Sequence, residues 1–311
     1  MLEGIRQAVS LGTRVTYVKG CKVIGNDLDE IDKAKDTAAQ ADAAIVIVGE
    51  NAWQSPGGPA TDGEGDDAAT LELTGRQEEL VQAVHAAGKP TVVVLINGRP
   101  LATRWIAQNV PAILEAWLPG EQGGRAVAEV LFGDTNPSGR LSVTVPRHAG
   151  QLPVYYNAKK SKRYWVKQGW GRAYVDLDPT PLYPFGFGLS YTRFDYSDLQ
   201  FSAREILPSH SVEVSVKVKN RGDRAGSEVV QLYLEDVISS VSTPVKELRG
   251  FAKVALRPGE IRTCTFTLHP EDLALYDQDL RRVVEPGEFR VMVGASAEDI
   301  RLRGEFRVKA P

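Results

Sequence analysis

Hydrophobic and polar positions along the chain change rhythm twice, and each change marks a different kind of structure. In the first half, helical and strand signals alternate. Residues 2–11 and the alanine- and charge-rich 31–41 predict helices, Arg14-Val15-Thr16-Tyr17-Val18 predicts a short strand ending in Gly20-Cys21, and 43–48 predict a fully buried strand. Thr74 reads as an N-cap with Gln77 three residues on, ahead of an apolar stripe of Leu80, Val81 and Val84 that Gly88-Lys89-Pro90 stops. Residues 91–96 have the β-branched content of a central parallel strand, 101–106 suit a short helix, and 112–117 suit a further strand. Gly120 to Gly124 then leads into a helix over 125–131. Strands spaced by helices predict a parallel sheet covered on both faces. No internal repeat is present.

Between residues 150 and 189 the period is lost among Tyr, Trp, Pro and Gly, which predicts a long connection packed through its aromatics. Beyond Phe194 strict alternation takes over, most plainly in Val212-Glu213-Val214-Ser215-Val216-Lys217-Val218, and again over 228–234, 263–268, 289–293 and 300–308. Gly222, Pro258-Gly259 and Pro286-Gly287 mark turns between them. About seven short strands in a little over 100 residues fit an immunoglobulin- or fibronectin type III-like sandwich. The expected fold is therefore a parallel-rich α/β sandwich over residues 1–155, an aromatic connection over 156–193, and an all-β sandwich over 194–311.

At 311 residues, 42% hydrophobic and 25% charged, the chain has the composition of an ordinary folded protein with room for two cores. A net charge of −3 gives no bulk attraction for nucleic acid or for an acidic membrane surface. No apolar stretch approaches the roughly 20 residues that span a bilayer, and no signal-peptide pattern follows Met1. Cytoplasmic location is the expectation, with a secreted or periplasmic one if a signal-bearing segment lies upstream. Leu2-Glu3-Gly4-Ile5-Arg6 reads like the middle of an amphipathic helix, as in a chain that begins inside a longer design. Cys21 and Cys264 fall in different predicted domains, which argues against a disulfide between them.

The candidate chemistry centres on Gly63-Glu64-Gly65-Asp66-Asp67, an acidic loop soon after the first buried strand. A glutamate between glycines can approach another domain closely and act as a proton donor, but proton transfer on a sugar needs a second carboxylate. Asp62, Asp66 and Asp67 compete with Glu64 for that role, and a solvated acidic loop is the plainer reading. Trp53 can stack on a sugar face or simply be buried. Trp165, Trp170, Tyr155, Tyr156 and Tyr164 can line a saccharide surface or pack the connection onto the sandwich. The Gly120 to Gly124 loop lacks the Lys-Ser/Thr ending of a nucleotide loop and the spacing of a dinucleotide fold. His85, His148, His210 and His269 are scattered, so no metal centre and no cofactor is expected, and no serine nucleophile elbow appears.

Several ordered runs carry a resemblance: Leu2-Glu3-Gly4-Ile5, Gly49-Glu50, Glu64-Gly65-Asp66-Asp67, Gln77-Glu78-Glu79-Leu80, and Trp117-Leu118-Pro119-Gly120-Glu121-Gln122-Gly123-Gly124. Phe132-Gly133-Asp134, Pro137-Ser138-Gly139-Arg140-Leu141, residues 181–192 and Lys246-Glu247-Leu248-Arg249-Gly250-Phe251 continue it. Together they resemble the carboxyl-terminal half of glycoside hydrolase family 3. The resemblance implies an α/β sandwich carrying an acid/base glutamate, placed at Glu64, followed by a fibronectin type III-like domain. It also implies a (β/α)8 barrel with a nucleophilic aspartate, which needs roughly 200–250 residues and does not fit before the first strand here. The chain departs from the family in having Ala68 where an arginine commonly follows the aspartate of the motif.

By that resemblance the expected function is β-glucosidase-type retaining hydrolysis of terminal β-D-glucosyl residues, with this chain supplying the acid/base half. The expected partners are a β-glucoside or short β-linked oligosaccharide, and a barrel in the same protein or on a separate chain. β-Xylosidase or N-acetylglucosaminidase specificity is one alternative. A non-catalytic carbohydrate-binding or interaction fragment is the other.

Overall fold

The computed structural model describes residues 1–25, 30–52, 60–160, 169–171 and 174–310. It divides into two compact units, one of residues 1–135 and 145–152, the other of residues 136–144 and 153–311. The Pro137-Ser138-Gly139-Arg140-Leu141 run thus packs with the second unit, although its sequence position lies within the α/β stretch. Among the described residues no helix is long and apolar enough to cross a membrane.

The first unit is a parallel sheet of β1 (Ala44–Gly49), β2 (Thr91–Ile96) and β3 (Ala112–Glu115), in that order. Around it lie α1 (Leu2–Ala8), α2 (Ile31–Ala39), α3 (Gln77–His85), α4 (Arg104–Asn109) and α5 (Gly123–Leu131). The register runs from Ala44 opposite Thr91 to Gly49 opposite Ile96, and from Val92 opposite Ala112 to Leu95 opposite Glu115. Val46, Val48, Val93 and Leu95 pack with Ile31, Ala34, Leu80, Val81, Val84 and Ile106 in one apolar cluster. Burying such side chains is worth roughly 1.5–3 kcal/mol each, which is what holds helices of nine residues or fewer in place.

Three sequence expectations fail here for physical reasons. Residues 14–18 form no strand: the sheet offers them no neighbour, and β propensity counts only where a ladder and a packed face exist. The strand expected to be buried on both faces is instead at the sheet edge, with Ile47 37% exposed. Thr74 does not cap α3, which begins at Gln77 behind Arg76; the Thr74 hydroxyl donates instead to Val23 O at 2.6 Å.

The second unit is a β sandwich. One sheet runs β5–β13–β12–β7–β8: β5 (Glu205–Ile206), β13 (Ile300–Val308), β12 (Gly287–Gly294), β7 (Gly226–Asp236) and β8 (Glu247–Leu256). The other runs β4–β6–β9: β4 (Phe194–Phe201), β6 (Val212–Asn220) and β9 (Ile261–Leu268). A one-turn helix, α6 (Pro270–Leu273), and the pair β10 (Leu275–Tyr276) and β11 (Arg282–Val283) complete it. Alternation decides the core. Val212, Val214, Val216 and Val218 of β6 face Val230, Leu232 and Leu234 of β7 and Val291 and Val293 of β12 in one buried cluster. Cys264 lies in that cluster and forms no disulfide with Cys21. Strand β7 from Val230 to Glu235 and strand β12 from Val291 to Gly294 are buried along both faces, because Tyr156 and Phe185 pack on the outer side where Tyr233 and Met292 point: Tyr156 stacks on Phe185 at 4.2 Å and meets Tyr233 edge-on at 5.8 Å.

Candidate active site

Three parallel strands end side by side, and a crevice beyond the carboxyl ends of such strands is where open α/β sheets place ligands. Strand β1 ends at Gly49, whose φ of +147° is one that residues with a side chain rarely adopt. The backbone N–H of Gly49 donates to Gln77 Oε1 and its carbonyl accepts from Gln77 Nε2, both at 2.8 Å. The amide of Gln77, buried on the first turn of α3, thereby supplies hydrogen bonds that a strand at the sheet edge would otherwise lack.

The next residue, Glu50, turns over the end of β2. Its N–H donates to Ile96 O at 2.7 Å. Its carboxylate accepts from Arg99 Nε at 2.7 Å and from the Gly98 backbone N–H at 3.0 Å. The Glu50 side chain is 4% exposed and that of Arg99 16%, so this ion pair is largely out of water. A buried carboxylate is tolerated when its lone pairs are met this way.

From there the chain returns to the same place after the loop. The Thr61 N–H donates to Asn51 O, and the Asn51 N–H donates to Thr61 Oγ1, each at 2.9 Å. Asp62 is buried, and its Oδ1 accepts the Glu64 N–H at 3.2 Å. Gly63 and Gly65 flank Glu64 with φ of +95° and +92°, conformations that glycine adopts at little cost. Glu64 itself is exposed, as are Asp66, Asp67 and Ala68. Asp62 differs from its neighbours: it faces inward and is committed to holding the turn.

At the end of β3, Glu115 Oε1 accepts the N–H of Trp117, a non-glycine residue at φ +51°. Asn97, with no exposed surface, donates through Nδ2 to Arg99 O at 2.9 Å and to Glu115 Oε2 at 3.4 Å, and its Oδ1 has no partner among the described residues. Burial pushes the Glu115 carboxyl up to about 7; its bonds to Trp117 and Asn97 pull the other way, and the charge of Glu50 adds to the rise. The folded chain therefore holds this proton more tightly than the unfolded one. The associated stability is complete below about pH 4.5 and is lost as the pH rises through about 7. Glu115→Gln is expected to be about 1–2 kcal/mol more stable than the parent at pH 8 and no more stable at pH 4, a difference that urea unfolding at the two pH values measures.

Glu50, Asn97, Arg99 and Glu115 have no counterpart among the candidates read from the sequence. The available signal was positional: Gly49-Glu50 and Asn97-Gly98-Arg99 each follow a strand of the same parallel sheet. Among the aromatics, Tyr156 packs in the sandwich, while Tyr155 and Trp170 are exposed at 69% and 74%. Trp53, Tyr164 and Trp165 lie outside the described residues. Among the described residues no three His, Cys, Asp or Glu side chains come together as a metal site.

Residues 1–191 match the glycosyl hydrolase family 3 C-terminal domain, and residues 228–297 match a fibronectin type III-like domain. A β-xylosidase of Formosa agariphila is 43% identical over 96% of the chain and 40% of its own length. A periplasmic β-glucosidase of Salmonella typhimurium is 38% identical over 99% of the chain and 42% of its length. The crystal structure of a β-glucosidase from Listeria innocua in complex with isofagomine superposes with a TM-score of 0.81 at 40% identity, covering 92% of the chain and 39% of that structure. The chain thus spans about two fifths of the length of these relatives.

Proposed function

The chain belongs to glycoside hydrolase family 3, and from that premise we propose that it supplies the acid/base half of a retaining β-glucosidase-type active site. Glu64 is the proposed proton carrier. In the first step its carboxylic acid protonates the leaving glycosidic oxygen while a nucleophilic aspartate of a (β/α)8 barrel attacks the anomeric carbon. In the second step the Glu64 carboxylate takes a proton from the water that hydrolyses the glycosyl-enzyme. The nucleophile belongs to a domain with roughly 5 Å between its carboxyl group and that of Glu64. The observation that carries this reading is the presentation of Glu64: an exposed carboxyl between two left-handed glycines, on a turn whose base is pinned.

The names of the relatives favour two terminal sugars. β-Glucosidase recurs among them, and β-xylosidase is the name of the protein at 43% identity. The test compares the chain alone with a barrel-bearing form, in which a family barrel is joined upstream or added as a second polypeptide, on aryl and alkyl β-glucosides and β-xylosides. The chain alone is expected to stay at the uncatalysed rate. The barrel-bearing form is expected to hydrolyse with retention, the glucoside faster. Glu64→Gln should lower its kcat on alkyl glycosides about 10²- to 10⁴-fold and spare 2,4-dinitrophenyl glycosides, which need no acid. Turnover by the chain alone that Glu64→Gln abolishes, or a barrel-bearing form indifferent to Glu64→Gln, would sink the proposal.

A further inference from the structure

We infer that the buried Glu50–Arg99 ion pair is the strut that positions Glu64, making Glu50 and Arg99 positioning residues of the proposed reaction. This rests on the reading of Glu64 as the acid/base group. The contacts run outward from the sheet. Gly49 fits against β2 because it has no side chain: a Cβ there would lie 1.8 Å from Ile96 O. That close approach carries Glu50 over the end of β2, where its carboxylate holds both the Gly98 N–H and the Arg99 guanidinium. The 97–99 turn so fixed packs against the base of the catalytic loop. A Cβ on Gly98 would lie 2.8 Å from Asp62 O and 3.0 Å from Asp62 Cβ, so the backbone there touches the residue whose carboxylate receives the Glu64 N–H.

Arg99 reaches the loop from the other side. A Cβ on Gly63 would lie 3.9 Å from Arg99 Nη1, which places the guanidinium beside the residue preceding Glu64. Only Nε of that guanidinium meets Glu50, and among the described residues its two Nη groups have no acceptor. One charged side chain thus joins the strand ends to the turn that presents the proton carrier. The reason for a charged strut is stiffness: a guanidinium is planar, and its fixed fork leaves little freedom once bonded. Small displacements are costly in catalysis, where misplacement by about 1 Å can lower the rate 10²-fold.

The test uses two variants that act on the strut differently. Glu50→Gln removes the charge from the pair and keeps the shape; Gly98→Ala keeps both charges and pushes Asp62 sterically. In the chain itself, hydrogen exchange at the Glu64 amide is expected to quicken about 10-fold in each, with the amides of Val46 and Val93 unchanged. In the barrel-bearing form, kcat on an alkyl β-glucoside is expected to fall about 10-fold or more. On the 2,4-dinitrophenyl glucoside it should change by less than about 3-fold, with KM little altered, because only the step that needs a placed acid suffers. The strut is overturned, with the role of Glu64 intact, if Glu64→Gln shows the leaving-group dependence and neither strut variant does. It is overturned equally if both variants slow all substrates in proportion and quicken exchange throughout the first unit, which is loss of stability alone. If Glu64→Gln has no effect, the reading of Glu64 falls and the inference falls with it.

Discussion

Replacing Arg140 by methionine is expected to cost the β sandwich about 3–5 kcal/mol, because it leaves the Glu228 carboxylate buried without its cation. Arg140 Nη2 donates to Glu228 Oε2 at 3.1 Å, with the two side chains 7% and 3% exposed. The other oxygen, Oε1, accepts the Tyr196 hydroxyl at 3.0 Å. Burial, and next the Glu228 charge, push the Tyr196 phenol far above its ordinary range, so the tyrosine stays neutral and remains a hydrogen-bond donor to the carboxylate, without supplying the cation that it needs. Arg301 lies over the Tyr196 ring at 4.7 Å but spends its Nη groups on Phe194 O and Asp299. Urea unfolding of the second unit should show the loss as a drop of about 2 M in midpoint, taking a slope of about 2 kcal/mol/M. Adding Glu228→Gln to Arg140→Met should recover most of it, since the amide still accepts from Tyr196 and no longer needs a cation. A single variant within about 1 kcal/mol of the parent would show that water reaches the carboxylate and that the pair is a surface one.

The second large effect is expected at Gly49. Gly49→Ala should destabilise the first unit by about 3–5 kcal/mol, combining backbone strain at φ +147° with a clash that no side chain can relieve. The obstructing atom is the backbone oxygen Ile96 O, at 1.8 Å from the new Cβ. That same oxygen accepts the Glu50 N–H. Moving it would loosen the start of the loop as well as the sheet. Gly88→Ala is the control: its φ is +75°, but nothing lies within 4 Å of a Cβ there, so the conformational cost of about 1 kcal/mol stands alone. Urea unfolding followed by the fluorescence of Trp105 and Trp117 reads both. Equal losses for the two variants would show that the strand ends relax apart and that the close approach is dispensable.

The second sandwich was the most legible part of the chain. Period-2 alternation in β6, β9 and β13 is enforced by burying one face of each strand, and the residues of β6, β7, β9, β12 and β13 that face the core are buried together. Family-like runs placed Glu64 on a loop between glycines, and the turn there has the left-handed glycines that such a loop needs. What the sequence did not show was whether a segment of β-branched residues finds a neighbour. Residues 14–18 do not, and the edge position of β1, which exposes Ile47, is a property of sheet order rather than of its own residues. Gln77 is a clear case of a long-range contact overlaid on a local one: its spacing from Thr74 suits a capping box and its Nε2 does reach Thr74 O at 3.2 Å, but its shorter bonds, at 2.8 Å, go to the backbone of Gly49.

By itself, then, the sequence determined the two kinds of secondary structure, the half of the chain that each occupies and the family, because periodic burial and local motifs are written in neighbouring residues. Only the tertiary structure decided which polar groups meet at the strand ends. Glu50 and Arg99 are 49 residues apart, and Asn97 and Glu115 are 18 apart. Each pair is brought together by parallel strands in register, and a register between distant segments is fixed by the packing of the whole sheet rather than by any stretch of sequence. The same packing lifts the Glu115 carboxyl to about 7, buries the Glu50–Arg99 ion pair and leaves Glu64 exposed to solvent.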